Sequence, residues 1–133
     1  MTDENGFPII APVAIILIRR GDELLLAKGL APKKHYSCIA GHVEPNESVE
    51  DCAHREVKEE IDIEIENLQY FGSQPWPHPN KLMIAYIADY KSGEIKIDEK
   101  ELTDAKWFTK DNPPEVLPAE GSIARQMIDS IWN

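Results

Sequence analysis

Between Ser48 and Glu60 the chain carries a helical apolar pattern with glutamates set inside it. At about 100° per residue, with Val49 at zero, Cys52, Val49, Ala53 and Val57 fall at roughly 300°, 0°, 40° and 80°. They form one stripe that should face a core. On the same wheel Glu56, Glu60 and Glu59 fall within the stripe or at its edge, at roughly 340°, roughly 20° and roughly 280°. Arg55, Asp51, Lys58 and His54 lie on the far side. Carboxylates on a buried stripe lose hydration. Glu56 and Glu60 repel each other at i, i+4, and the helix dipole is already negative at this end. No Lys or Arg shares the stripe to answer them. A divalent cation would answer all three costs, because hard cations take oxygen ligands. The competing reading is a solvated acidic helix end whose register is displaced by a residue or two.

Around this helix the chain alternates mostly strands. Ile9–Arg20 and Glu23–Lys28 read as strands joined by a Gly21-Asp22 turn. Gly29–His35 is a basic loop with Lys33 and Lys34, and Tyr36–Ala40 is a short strand ending at Gly41. Ser48, with Asp51 three residues on, supplies a capping signal for the helix. Further strands are expected at Ile61–Phe71, Leu82–Tyr90, Glu94–Ile97 and Ala105–Thr109, and a closing helix at Ser122–Trp132. Strands on either side of a central helix, with a second helix last, predict an α+β fold in which helices pack on a mixed sheet. A length of 133 residues suits one domain spanning 1–133.

Composition narrows the function classes. The net charge of −10 disfavours general binding to DNA or RNA backbones. The longest apolar run, Val13–Ile18, is too short to span a membrane, and MTDENG lacks the features of a secretion signal. The only cysteines, Cys38 and Cys52, form no CxxC pair, so neither a disulfide scaffold nor a zinc site is expected. A cytoplasmic location is the default expectation. Arg19, Arg20, Lys28, Lys33 and Lys34 are the main basic cluster; they either meet substrate phosphates or merely flank the first hairpin.

The misplaced acids belong to a longer pattern. Gly41, Glu47 and Arg55-Glu56-Val57-Lys58-Glu59-Glu60, followed by Ile63, resemble the Nudix box, G-x5-E-x7-R-E-U-x-E-E-x-G-U. Eight of nine fixed positions match; Asp62 stands where the family has its last glycine. That position often needs a positive φ, which Asp tolerates better than most residues. The resemblance implies a Nudix-like α/β/α sandwich with a loop–helix–loop that holds Mg²⁺ or Mn²⁺ against a pyrophosphate. Glu56 and Glu60 would be the main ligands, assisted by Glu59 and the Ala40 carbonyl. Glu47 and Arg55 would shape the loop, and one carboxylate near the metal would take the proton of the attacking water.

Ser73-Gln74-Pro75-Trp76-Pro77-His78-Pro79 is similar to the SQPWPFP motif of the NADH pyrophosphatase branch, with His78 in place of Phe. A stiff proline loop that presents Gln74 and Trp76 suits a flat polar ring. The resemblance assigns this segment, with Asn80 after it, to substrate binding. Phe7–Pro12 looks like the branch's entry strand. Lys100-Glu101-Leu102 matches a segment that carries another metal-binding glutamate, so Glu101 is a candidate ligand or base. Gly121–Arg125 resembles the closing helix, and the resemblance implies that the Ala124 backbone would touch substrate. His42 follows the box glycine where the branch often has a stacking Phe. Full-length members also carry a zinc ribbon and another domain, and this chain resembles their catalytic domain alone. The expected activity is metal-dependent cleavage of NADH or NAD⁺ to a nicotinamide mononucleotide and AMP. The alternatives are ADP-ribose, a dinucleoside polyphosphate or NAD-capped RNA as substrate, and, in another class, a nucleotide-binding module without hydrolysis. RNA enters only as an NAD-capped substrate, and DNA and membranes are not expected partners. The branch is commonly homodimeric, which makes a homodimer an expectation.

Overall fold

The computed structural model describes residues 2–76 and 79–133. Pro77 and His78, both named above as candidate substrate contacts, lie outside the described residues. The expected mixed sheet with a helix on each face is found. In chain order the elements are β1 (Ala11–Arg20), β2 (Glu23–Gly29), β3 (Tyr36–Ser37), β4 (Ile39–His42), α1 (Val49–Ile61), β5 (Glu64–Trp76), β6 (Lys81–Ser92), β7 (Leu102–Phe108) and α2 (Ile123–Trp132).

The sheet runs β3-β2-β1-β6-β5, with β4 also on β1 and β7 on β2. The β1 strand is its centre. It pairs in parallel with β6 along one edge, while β4 and then β2 share its other edge in antiparallel register. A strand so placed is buried on both faces, which explains the unbroken apolar run from Val13 to Ile18. Alternation along it feeds two cores. Ala14, Ile16 and Ile18 pack with Cys52, Ala53, Val57 and Ile61 of α1, and Ile15 and Leu17 pack with Met127 and Ile128 of α2. The stripe expected on α1 is the stripe that is buried, and His54 is exposed on the outer face. Among the described residues no helix is long and apolar enough to cross a membrane.

Several boundaries differ from the sequence reading, each for a physical reason. The helix runs one residue further, to Ile61, and turns at Asp62 with φ 58°, whose N–H donates to the Lys58 carbonyl. Asp therefore adopts the left-handed conformation expected at the missing glycine. The segment Glu94–Ile97 is extended but is not a strand. Its backbone instead serves the helix end, where the last carbonyls lack partners: Lys96 N–H donates to Ile61 O at 3.0 Å and Asp98 N–H to Glu60 O at 2.8 Å. Its apolar alternation reflects Ile95 and Ile97 packing on the core. The stretch Tyr36–Ala40 is divided at Cys38, because β3 pairs with β2 while β4 crosses to β1. The proline-rich segment is no free loop up to Trp76. Ser73–Trp76 completes β5, with Gln74 opposite Met83 and Trp76 opposite Lys81. Pro75 is tolerated there because β5 is an edge strand.

Candidate functional site

The β1–β4 pairing places Gly41 opposite Ala14 and directly above the last turns of α1. A Cβ at Gly41 would lie 2.0 Å from Glu56 Cδ and 2.2 Å from its Oε2, so glycine here makes the room that Glu56 occupies. Arg55 organises the loop between β4 and α1. Its Nε donates to Glu47 Oε2 at 2.6 Å and its Nη2 to Glu47 Oε1 at 2.9 Å, a two-pronged pairing. The same guanidinium donates to the His42 carbonyl at 3.1 Å, to Glu56 at 2.8 Å and to Glu59 at 3.2 Å. The Arg55 hydrogen bonds hold the Glu47 carboxyl down to about 2, helped by the Glu44 N–H that donates to it. The helical wheel sets Arg55 on the far side and leaves the stripe without a cation. In the fold its long side chain bends back and answers Glu56 and Glu59.

Glu60 is left out of this arrangement. It is the only buried polar or charged residue among the described ones, at 8% exposure, and no ion pair reaches it there. Burial first, then the hydrogen bond with Glu56 and the charges of Glu56, Glu101 and Asp98, push its carboxyl well above the usual range. The donor set around it is all oxygen, the kind that a hard divalent cation takes. Among the described residues no three acids, histidines or cysteines already form a closed metal cage; the acids line an open cleft instead.

That cleft, about 1100 Å³ in volume, is lined by the acids Glu44, Glu56, Glu59, Glu60, Asp98 and Glu101. Ala40, Gly41 and His42 line it from β4, Gln74, Trp76 and Met83 from β5 and β6, and Ile123 and Ala124 from the start of α2. Lys33, His35 and Lys81 also line it. The structure thus brings together Glu56, Glu59, Glu60, Glu101, Ala40, Gly41, His42, Gln74, Trp76 and Ala124, residues far apart in the chain. Ser73, Pro75, Pro79 and Asn80 are not on the cleft wall. The Asn80 side chain instead donates to the Ile9 carbonyl at 2.8 Å. Gln74 lines the cleft, but its amide is engaged: Nε2 donates to Gly121 O at 2.8 Å and Oε1 accepts from Ile123 N–H at 2.9 Å. It ties β5 to the start of α2 and so sets the position of Ala124. Asp98, His35 and Lys81 have no motif to single them out, whereas Lys33 belongs to the basic cluster named as a candidate phosphate contact. Only the hydrogen bond from Asp98 N–H to the helix end brings that acid beside Glu60.

The fold and this geometry define a class of protein built around a glutamate-bearing loop–helix–loop. Residues 9–130 match the NUDIX domain, and the chain belongs to that family. Its similarity to two relatives is much higher than to the solved structures. It is 48% identical over 130 residues to the NAD-capped RNA hydrolase NudC of Mannheimia succiniciproducens, covering 93% of this chain and 49% of that protein. It is 50% identical over 131 residues to the protein of the same name from Pseudomonas fluorescens, covering 96% and 46%. The chain therefore spans about half the length of these relatives. Among solved structures it is similar to a MutT NUDIX hydrolase from Burkholderia pseudomallei, with TM-score 0.78, 22% identity, and coverage of 92% of this chain and 98% of that one. A NUDIX hydrolase from Nitrosomonas europaea superposes with TM-score 0.80 at 18% identity, over 92% of this chain and 69% of that one.

Proposed function

We propose that this chain hydrolyses the pyrophosphate of a dinucleotide of the NADH or NAD⁺ type, releasing nicotinamide mononucleotide and AMP. The observation that carries the reading is Glu60: a buried carboxyl beside Glu56, unanswered by any ion pair among the described residues, on the acidic lining of a cleft large enough for a dinucleotide. Glu56 and Glu60, with Glu59, Glu101 and the Ala40 carbonyl, would hold Mg²⁺ or Mn²⁺, which when bound would neutralise phosphate oxygens and acidify water. The chain's own residues do the rest. Arg55 fixes Glu56 and Glu59 in place while satisfying Glu47. Trp76 and His42, both on the cleft lining, offer ring faces to the nicotinamide or adenine. Lys81 and Lys33 stand where phosphate charge must be met. Water adds its oxygen to one phosphorus, the bridging P–O bond breaks, a cleft carboxylate accepts the proton of the water, and the departing mononucleotide carries away the bridging oxygen. The relatives' name favours a second substrate of the same chemistry, an NAD-capped RNA, in which the AMP half continues into a chain.

The test is product analysis with NADH, NAD⁺, ADP-ribose and diadenosine polyphosphates, each with Mg²⁺ or Mn²⁺ and with chelator. Release of AMP and reduced nicotinamide mononucleotide, fastest from NADH and abolished by chelator, is the expected result. Faster cleavage of ADP-ribose or a diadenosine polyphosphate refutes the NADH or NAD⁺ assignment. Binding without turnover of any of them refutes hydrolysis.

A further inference from the structure

The five basic residues clustered in the first third of the sequence part company in the fold. Arg19 is spent on Asp89 at 2.7 Å, and Arg20 pairs with Glu23 and lies 4.1 Å over the Trp107 ring. Lys28, Lys33 and Lys34 come together with Lys106, from β7, around a groove of about 640 Å³, Lys106 keeping an exposed 3.7 Å pair with Asp104. On a chain of net charge −10 this is a local reversal of sign. Glu115 is the only acid on the groove's lining among the described residues. Tyr36 and Phe108 lie between the lysines: Lys28 Nζ is 5.5 Å from the Tyr36 ring centre, and Lys106 Nζ is 5.4 Å from that of Phe108.

The groove adjoins the cleft. Lys33 and Val116 line both, and the Lys33 stem folds across Gly29 at the end of β2. An anion leaving the cleft past Lys33 therefore meets Lys28, Lys34 and Lys106 next. We propose that this groove is a track for a single-stranded RNA chain attached to the nucleotide in the cleft, with lysines meeting successive phosphates. The proposal rests on the dinucleotide reading of the cleft. A free dinucleotide, held within the cleft, has no part that extends so far. An acidic peptide fits the charge but not the continuity with a nucleotide cleft.

The experiment uses a fluorescent single-stranded RNA hexamer with a 5′-phosphate, measured by anisotropy across a salt series, alongside turnover of free NAD⁺. The comparison is between the chain as it stands and the variant Lys28→Gln/Lys34→Gln/Lys106→Gln, which leaves Lys33 in the cleft untouched. Three lost phosphate contacts lower the slope of log affinity against log salt by about 2, so the unaltered chain should lose about 20-fold more affinity than the variant between about 50 and 200 mM salt. NAD⁺ turnover and the thermal midpoint should be unchanged. Should the triple variant fail to fold, Lys34→Gln, whose side chain is exposed, should lower the slope by about 0.7. An unchanged slope, no hexamer binding by the unaltered chain, or equal binding of polyglutamate overturns the groove, even where NAD⁺ is cut. Lysine-dependent hexamer binding with no cleavage of NAD⁺ or NADH keeps the groove and overturns the reading of the cleft instead.

Discussion

Replacing Gly41 by alanine adds one methyl at the tightest point of the site. The methyl carbon would lie 2.0 Å from Glu56 Cδ, whereas ordinary contact begins near 3.4 Å, so the carboxylate must retreat by more than an ångström. The backbone does not object, since Gly41 is not among the residues with positive φ. Nor must the core move, because the obstacle is the end of a side chain. We therefore expect stability to stay within about 1 kcal/mol of the parent, the lost freedom of the unfolded glycine offsetting part of the strain. Activity should not be spared. Displacing a positioned group by about 1 Å can cost on the order of 100-fold, and the 2.8 Å hydrogen bond from Arg55 to Glu56 is lost with it. The measurement is kcat/KM for NADH, with the thermal midpoint as control, for Gly41→Ala, Glu56→Gln and the double variant. If the methyl acts through Glu56, the double variant is no slower than Glu56→Gln alone. A Gly41→Ala enzyme of parental activity, or losses that simply add, would refute the reasoning.

Three further outcomes are expected. Asp62→Gly removes the penalty of a left-handed φ at a residue with a Cβ, and should raise stability by up to about 1 kcal/mol in denaturant titration with turnover unchanged; the exposed 3.3 Å pair of Asp62 with Lys58 contributes little against this. Arg55→Lys keeps the charge but loses the planar fork that reaches Glu47, Glu56 and His42 together, and a drop of at least about tenfold in kcat is expected, with little change expected in a short-substrate KM. Glu60 sets a pH dependence whose sign is fixed by its raised pKa: the fold favours the protonated form, so its penalty is absent below the ordinary value of 4.5 and grows as pH rises above it. The metal-free chain should therefore lose stability from acid toward alkaline pH by a component that Glu60→Gln abolishes, and added Mn²⁺ should restore it most at high pH. Thermal midpoints across pH, with and without Mn²⁺, read both effects.

The sequence holds more of this site than of the path that builds it. The α1 stripe is readable because helical period and burial agree at Cys52, Ala53, Val57 and Ile61, and the conflict at Glu56 and Glu60 stands out against that agreement. What the wheel cannot show is the reach of Arg55, whose flexible stem carries its charge back over the helix. Period also misleads at Glu94–Ile97. Apolar alternation reports which side chains face a core, and an extended segment serving a helix end alternates as a strand does. The proline motif suggests a loop for a similar reason. Proline breaks a central ladder, but an edge strand has one side free, and nothing local distinguishes Pro75 at an edge from Pro75 in a loop. Asp98, Lys81 and Lys106 lie beyond local reading altogether, since their neighbours are set by the pairing of strands distant in the chain.

The electrostatics of the cleft follow from that pairing. Parallel association of β1 with β6 carries the end of β5, with Trp76, to the mouth of the site, and Gln74 then fastens α2 there by two hydrogen bonds. The Gln74 side of the lining is thereby braced by neutral amide contacts, while carboxylates gather at the end of α1, where Arg55 pairs with Glu47, Glu56 and Glu59 but not with Glu60. A single arginine could in principle have neutralised all the acids of α1. It is instead committed to Glu47 by its best geometry, which fixes the loop and leaves the innermost carboxyl unanswered. That division leaves the Glu60 carboxyl on the cleft lining, where a pyrophosphate and its cations can meet it. It also makes Arg55 and Glu60 separable by experiment: loss of the first should loosen the loop at every pH, whereas loss of the second should act chiefly through the pH and metal dependence of stability.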